Sequence, residues 1–493
     1  VTDSTAAVGS WRELLGREYA GATTVLAGGV ALYAINEFIT ISLLPSVITD
    51  IGGARLYAWV TTVYLVASVI AATTVGAVLI RFGPRLSYLV SLLSFAAGTA
   101  VCALAPSMAI FLVGRMVQGL AGGVLAGLGY AVISAALPEK LWTRAAAVVS
   151  AMWGVGTLIG PTSGGLFAQF GLWRWGFAVI LLLAVSMAML VPIVLPARAD
   201  TSGPRVGIPI RSLGLLGVAA LAVSIAAIPR NVALTVGLLV LAIALVVVFL
   251  IVDRRSVARV LPRRAFEPGP LKWIYLTMGM LMAATMGDMY APLFGQRLGG
   301  LAPAAAGFLG AALSVGWVVG EIRSAAISDH RTAARVVAAA PLVMAAGLGL
   351  AALAQWDGAG PGLVAIWAIA LGISGIGIGA AWPHLSVWAM GSDGGGSDGG
   401  GSDGGGSDGG GSDGGASAGG GSVDEAGEQA IAAAAINTVQ LICAAFGAGL
   451  AGVMVNLRET PDAPAARWMF AGFAGMAAVG WFASSRAGAR QPE

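Results

Sequence analysis

The chain has 493 residues, of which only 10% are charged while 57% are hydrophobic. An ordinary soluble domain carries about 25% charged residues, so 27 basic and 24 acidic side chains are too few to clothe a soluble enzyme of this length, and the hydrophobic content excludes a disordered chain. The basic residues behind the net charge of +3 lie between apolar runs, which points to membrane topology rather than to nucleic acid.

The apolar runs predict fourteen membrane helices, each with about 20 mostly apolar residues. In chain order they fall at 23–46, 56–80, 86–105, 108–133, 145–168, 175–196, 211–228, 232–252, 272–294, 303–323, 334–355, 361–388, 430–456 and 466–484. The first run is of full membrane length and carries no small-residue cleavage site, so no cleavable signal peptide is expected. Only Pro229, Arg230 and Asn231 separate the seventh and eighth spans, which should form a tight hairpin. With the N-terminus in the cytoplasm, twenty of the 27 basic residues fall in inside segments and six outside. Such an excess orients a membrane protein, and merging the hairpin into one span would destroy it.

This map divides the chain into a cytoplasmic N-terminus (1–22), a six-helix bundle (23–197), a central linker with two extra helices (198–270), and the first four helices of a second bundle (271–390). A cytoplasmic loop (391–422), the last two helices (423–485) and a cytoplasmic tail (486–493) follow. The fold class expected is an all-α polytopic membrane protein in a plasma membrane. Within the loop, Ser-Asp-Gly-Gly recurs with period five from Ser392 to Asp413. Glycine at this density cannot offset its ordering entropy, so 391–421 should be disordered, a tolerated insertion. The spacing lacks the alternating oxygen ligands and closing glutamate of a calcium loop.

Both cysteines, Cys102 and Cys443, sit inside apolar stretches and read as small core residues rather than a disulfide or metal pair. Walker A, H-E-x-x-H, C-x-x-C and G-x-S-x-G patterns are all missing. ATP-driven export and membrane hydrolase or redox chemistry therefore lack their usual parts. No catalytic residue, cofactor, metal or nucleic-acid partner is expected.

Charges inside the spans carry the most information because composition makes them scarce. Glu37 lies about 21 Å into the first span at 1.5 Å per residue, and Arg115 about 10 Å below the same outer face. A lone charge at that depth costs roughly 2.5–3.5 kcal/mol, so the two should pair. Apolar surroundings favour the neutral form of a carboxylic acid, which suits a proton carrier. Asp288 lies high in the ninth span with Arg297 beyond it, as a second proton site, a point of recognition for cations, or a water-reached rim residue. Glu321, beside Arg323, reads as a gating or interfacial charge; His384 follows Trp382 and Pro383 in the twelfth span, as a packing residue or a pocket residue. Trp59, Trp153, Trp317 and Trp382 could line an amphiphilic cavity, whereas Trp173 and Trp175 are more simply interface anchors.

In the fifth span Gly156, Gly160 and Gly164 recur every fourth residue and share one face with Gly165 nearby, and Pro161 interrupts the backbone ladder. Such a face lets a neighbouring helix approach closely. The full string G-x-x-x-G-P-x-x-G-G resembles the antiporter motif of major facilitator superfamily drug–proton exporters. Arg115, Gln118 and Gly119, with Gly122 and Gly123, resemble that family's R-x-x-Q-G motif. Gly76, Arg81, Gly83 and Arg85 resemble its cytoplasmic gating loop, with Ile80 where an acid is usual and Pro84 where a base is usual. Asn437, Thr438 and Gln440, with Gly447, resemble the N-T-x-x-Q…G stretch of the fourteen-span branch, and the Trp173-Arg174-Trp175 string is also typical. The family places its first-span acid where Asn36 stands here, one residue before Glu37.

The resemblance implies two six-helix halves around a midplane cavity, plus two extra helices. It implies a proton-coupled antiporter that exports small amphiphilic drug-like compounds, driven by the proton gradient with no cofactor. Proton coupling and substrate contact would fall to Glu37, Asn36, Arg115 and Asp288, with Gln118, Trp382, His384, Asn437 and Gln440 lining the cavity. The expected partners are substrate, protons and the lipid bilayer, with the chain a monomer. Export of an endogenous lipid or metabolite is a second reading. Uptake by symport is disfavoured by the antiporter string. A receptor or scaffold using the acidic loop as partner site would show no flux.

Overall fold

Helices occupy every stretch that the apolar runs predict. The structure is a computed structural model and describes residues 10–196, 209–229, 231–256, 258–327, 329–391, 420–457 and 462–488. A short helix α1 (Trp11–Leu14) precedes α2 (Ala20–Ile51), α3 (Tyr57–Ala72), α4 (Val75–Leu104) and α5 (Met108–Ala131). A one-turn α6 (Ile133–Ala136) leads to α7 (Trp142–Gln169) and α8 (Trp173–Val194). The hairpin is α9 (Ile210–Ala226) and α10 (Val232–Arg255). The remainder is α11 (Leu271–Thr285), α12 (Ala291–Arg297), α13 (Pro303–Ala325), α14 (His330–Leu353), α15 (Pro361–Gly391), α16 (Gly420–Asn456) and α17 (Ala463–Gly488). Ten of these are long and apolar enough to cross a membrane by length and composition. With α7, the shorter α9, the broken α11–α12 and α17, the helices match the fourteen expected stretches. Helices suit a bilayer because they satisfy every backbone polar group internally.

Three boundaries differ from expectation. The second and third spans are not separated by a five-residue loop: α4 runs through Gly83, where φ is +72° and the backbone kinks. Only glycine adopts that conformation without strain, so the turn is compressed into one residue. The second span instead breaks at Thr73 and Thr74. The thirteenth span begins at Gly420, ten residues earlier than the apolar pattern suggests. The Ser-Asp-Gly repeat from 392 to 419 lies outside the described residues, as do the side chains of 420–434 and 437.

The ninth span is the third departure. It breaks into α11, a 3₁₀ turn at Met286–Tyr290, and α12. Pro292 has no N–H to give to the Asp288 carbonyl four residues back. That carbonyl instead accepts from Ala291, one residue nearer, and the chain tightens to a 3₁₀ turn.

Packing defines two bundles and a seam. In the first, α2 lies against α7, α5 and α8, and α4 against α5 and α8. In the second, α13 and α14 pack on α15, and α11 and α14 on α17. The α9–α10 hairpin sits at the seam, against α3 and α16. The bundles meet through α7 with α13 and α3 with α16. At the end remote from the Arg-rich linker, that meeting is close. A Cβ on Gly307 would stand 2.5 Å from the Pro161 carbonyl oxygen, and one on Gly165 would stand 2.9 Å from Ala304. At the same end Tyr57 donates to the Met289 carbonyl at 2.9 Å, and Asn456 donates to the carbonyls of Arg55 and Ala227.

Candidate functional site

A polar knot lies inside the first bundle, built by residues at helical spacing. Gln118 stands one turn after Arg115 on α5, so both face α2 and α4. The Gln118 amide donates to Asn36 Oδ1 at 3.1 Å and to Thr99 Oγ1 at 2.9 Å. Its carbonyl oxygen accepts from Arg115 Nη1 at 2.9 Å. The same guanidinium donates to Thr40 Oγ1 and to the Val60 carbonyl, both at 3.3 Å, and lies 4.0 Å from the centre of the Tyr64 ring. Arg115 is 1% exposed and Gln118 is fully buried. Gln118 is therefore a structural hub within the wall and not a cavity-lining residue.

The expected Glu37–Arg115 ion pair does not form. Among the described residues the ion pairs are Glu13–Lys140, at 2.5 Å, and Asp50–Arg174. One residue along a helix is a rotation of about 100°, and Asn36, not Glu37, is the residue aimed into the knot. Arg115 is satisfied by neutral oxygens and an aromatic face. Glu37 remains buried, 9% exposed, with its Oε2 bonded to nothing. It interacts electrostatically with Arg115 and, across the seam, with Asp288.

Asp288 sits in the 3₁₀ break of the ninth span, half-buried. Beside it Tyr290 stacks on Tyr57, centroids 4.5 Å apart, and on Phe294 at 5.9 Å. On the other side of the seam Tyr33 stacks on Tyr64 at 5.3 Å and meets Trp153 edge-on at 5.5 Å. Each bundle thus contributes one carboxylic acid next to an aromatic stack. This arrangement can hold a proton or a cation.

The glycine string of α7 packs as its spacing implies. Cβ atoms on Gly156, Gly160 and Gly164 would lie 2.5–2.8 Å from atoms of Ala34, Phe38 and Ile39 on α2. Gly165 turns away to α13. Pro161 lies within the helix, which continues to Gln169. In the expected gating loop, Arg85 donates to the Leu195 carbonyl at 2.9 Å, Arg81 lies exposed over Phe82, and Gly76 faces open space.

Other expected residues are dispersed. His384 shares a hydrogen bond of 2.9 Å with Ser324 and faces Trp388, and Trp382 packs on Trp317 at 5.4 Å. Glu321 accepts from the Trp317 indole at 3.1 Å. These form a cluster between α13 and α15, apart from Glu37. Gln440 is half-buried on α16, and the Asn437 side chain lies outside the described residues. Trp59 donates to the Ser224 carbonyl at 2.9 Å and so anchors α9. Trp173 is not an interface anchor: it is 3% exposed and donates to Asp50 at 3.1 Å, whereas Trp175 is 62% exposed. Residues the sequence reading missed are Thr40, Thr99, Tyr33, Tyr64 and Tyr290. Hydroxyls at one-turn spacing from Asn36 or facing Arg115 were the available signal.

Comparison with known proteins agrees with this architecture. The pattern of the Major Facilitator Superfamily matches residues 26–396. The "Probable multidrug-efflux transporter" of Mycobacterium tuberculosis is 55% identical over 493 residues, covering 99% of this chain and 98% of that one. The "Multidrug efflux pump SdrM" of Staphylococcus aureus is 26% identical over 58% of this chain and 64% of its own. Among solved structures, a bacterial homologue of the human lysosomal transporter Spinster, inward-facing and occupied, aligns with a TM-score of 0.63 at 13% identity, covering 97% of this chain and 98% of that one. The nucleoside transporter NupG aligns with a TM-score of 0.62 at 10% identity, covering 95% and 99%. With a family pattern spanning most of the chain and a relative matched end to end, this chain belongs to the Major Facilitator Superfamily.

Proposed function

We propose that the chain is a multidrug-efflux transporter that exports small amphiphilic compounds across the cytoplasmic membrane in exchange for protons. The named efflux relatives support the export of drugs. The observation that carries proton coupling is Glu37: a buried carboxylic acid with an unbonded oxygen, within electrostatic reach of Arg115 and of Asp288 in the other bundle. Two acids brought together across a seam cannot both ionise cheaply. A proton on Glu37, or a cationic substrate between the acids, relieves the conflict. Substrate and proton then compete, and arrival of one favours release of the other. With both termini cytoplasmic, the close contact of the bundles at the end remote from the basic linker would be the outer seal that an exporter opens to release substrate.

The test is dye efflux in everted vesicles, with and without a collapsed pH gradient, for the native chain and Glu37→Gln. The native chain is expected to concentrate dye only while the gradient stands, and Glu37→Gln to lose that dependence. Native flux indifferent to the gradient, or an unaltered Glu37→Gln, would sink the antiport reading.

A further inference from the structure

The α9–α10 hairpin does not pack flush against the second bundle. It leaves a cavity of about 250 Å³ between itself, α11 and α16, lined by Leu216, Phe249, Val260, Leu261, Ala283 and Cys443 among others, with an apolar exposed wall. The floor is held by a fully buried acid: Asp253 accepts from the backbone N–H groups of Val260 and Leu261 at 2.8 and 3.0 Å. This folds the linker back under the end of α10. Neighbouring residues on α10, Val247, Leu250 and Ile251, are exposed along its length.

The linker that supplies Val260 and Leu261 to this slot is basic. Arg259 directly precedes Val260, so their Cα atoms are about 3.8 Å apart. Arg263 lies two residues beyond Leu261, in the turn Arg263–Phe266 that leads into α11. Residues 253–272 include six basic side chains and two acidic ones. One of the acids, Asp253, is committed to the backbone; the other is the exposed Glu267. Arg254, Arg255, Arg263 and Lys272 are exposed, and Arg259 is half-buried with its Nε on the Ser256 carbonyl.

We propose that this slot binds an acyl chain of an anionic phospholipid, whose phosphate is held by the arginines of this linker. An apolar slot lined by a linker of concentrated positive charge matches an amphiphile with a long tail and a negative head. It is a poor match for a lipophilic cation, which the linker repels. The reading does not depend on proton coupling. It gives the extra hairpin a role: the lipid ties it to the moving parts. The wall residue Ala283 is where a Cβ on Gly447 would stand 2.3 Å from the backbone oxygen, and three residues later the chain enters the break holding Asp288.

The two cysteines supply the probe, since Cys443 lines the slot and Cys102 is fully buried. The full chain is reconstituted in nanodiscs of phosphatidylcholine, with or without phosphatidylglycerol. Labelling by a lipid-soluble maleimide is timed, with Cys443→Ser giving the background. Phosphatidylglycerol should slow labelling severalfold, and Arg254→Gln with Arg263→Gln should abolish the slowing. Equal rates in both lipids overturn the proposal, as does protection that persists in the double variant. Protection by ethidium but not by phosphatidylglycerol overturns it by making the slot a drug site. Native mass spectrometry of the unmutated chain provides a check free of variants: preferential retention of phosphatidylglycerol supports the proposal, and equal retention of both lipids contradicts it.

Discussion

Arg115 keeps its charge inside the first bundle without a salt bridge, and Gln118 is the residue that makes this tolerable. It answers the guanidinium with its oxygen and spends its amide hydrogens on Asn36 and Thr99. Gln118→Leu would leave the buried Asn36 Oδ1 without its partner, at a cost of about 1–3 kcal/mol, and would take one hydrogen bond each from Arg115 and Thr99, which keep Thr40 and the Phe95 carbonyl. A clearly lowered thermal midpoint of the purified protein is expected, and an unchanged midpoint would contradict the hub role. Asn36 occupies the position where the resemblance puts an acid, but it is bonded into the knot, whereas the Glu37 carboxyl is left unbonded. The double variant Asn36→Asp/Glu37→Gln is therefore expected to lack gradient-dependent efflux as Glu37→Gln alone does, read in the same vesicles. Regained gradient dependence would show that the two positions are equivalent.

Elements act through their contacts and caps. The approach of α7 to α13 requires Gly307, because a Cβ there meets the Pro161 carbonyl oxygen at 2.5 Å. Gly307→Ala should hold the sealed end apart. Spin labels at the exposed Phe170 and Ala302 should report a longer distance than in the native background. A distance distribution matching the native one would show that the contact yields elsewhere. At the other end of the bundle, Asp329 caps α14, accepting from the Thr332 N–H at 2.8 Å and from its hydroxyl. These hydrogen bonds hold its carboxyl below the usual carboxylate range. A depressed folded value means the cap's contribution is present above the ordinary aspartate value and is lost as pH falls through the lowered one, below about pH 4. The native chain should melt higher than Asp329→Asn at pH 7, with the gap closing toward pH 3.

At the scale of the whole molecule, two bundles share a seam that carries Glu37 on one side and Asp288 on the other. The Ser-Asp-Gly repeat joins α15 to α16 and holds none of the site residues. Replacing 392–419 by a ten-residue connector should leave efflux within about twofold, as surface insertions generally tolerate. Abolished efflux with normal expression would favour the scaffold reading, in which the loop is the partner site.

The positions and order of the apolar helices, the hairpin of extra helices and the close-packing face of α7 were legible in the sequence. Each is a local property, set by a run of apolar residues, a turn tripeptide, or small residues every fourth position. The rotation of each helix about its axis is not local, and that rotation separates Asn36, bonded into the knot, from Glu37, left unbonded at the seam. Nor is a break at Asp288 evident from hydropathy, although Pro292 marks where the ladder fails. Trp173 looked like an interface anchor until its partner Asp50, more than 120 positions away, was brought beside it. Sequence alone determined that this chain is a bundle of membrane helices with very few buried charges, because apolar length and charge scarcity are written residue by residue. Only the tertiary structure decided which of those charges meet, because that depends on how helices distant in sequence turn toward one another.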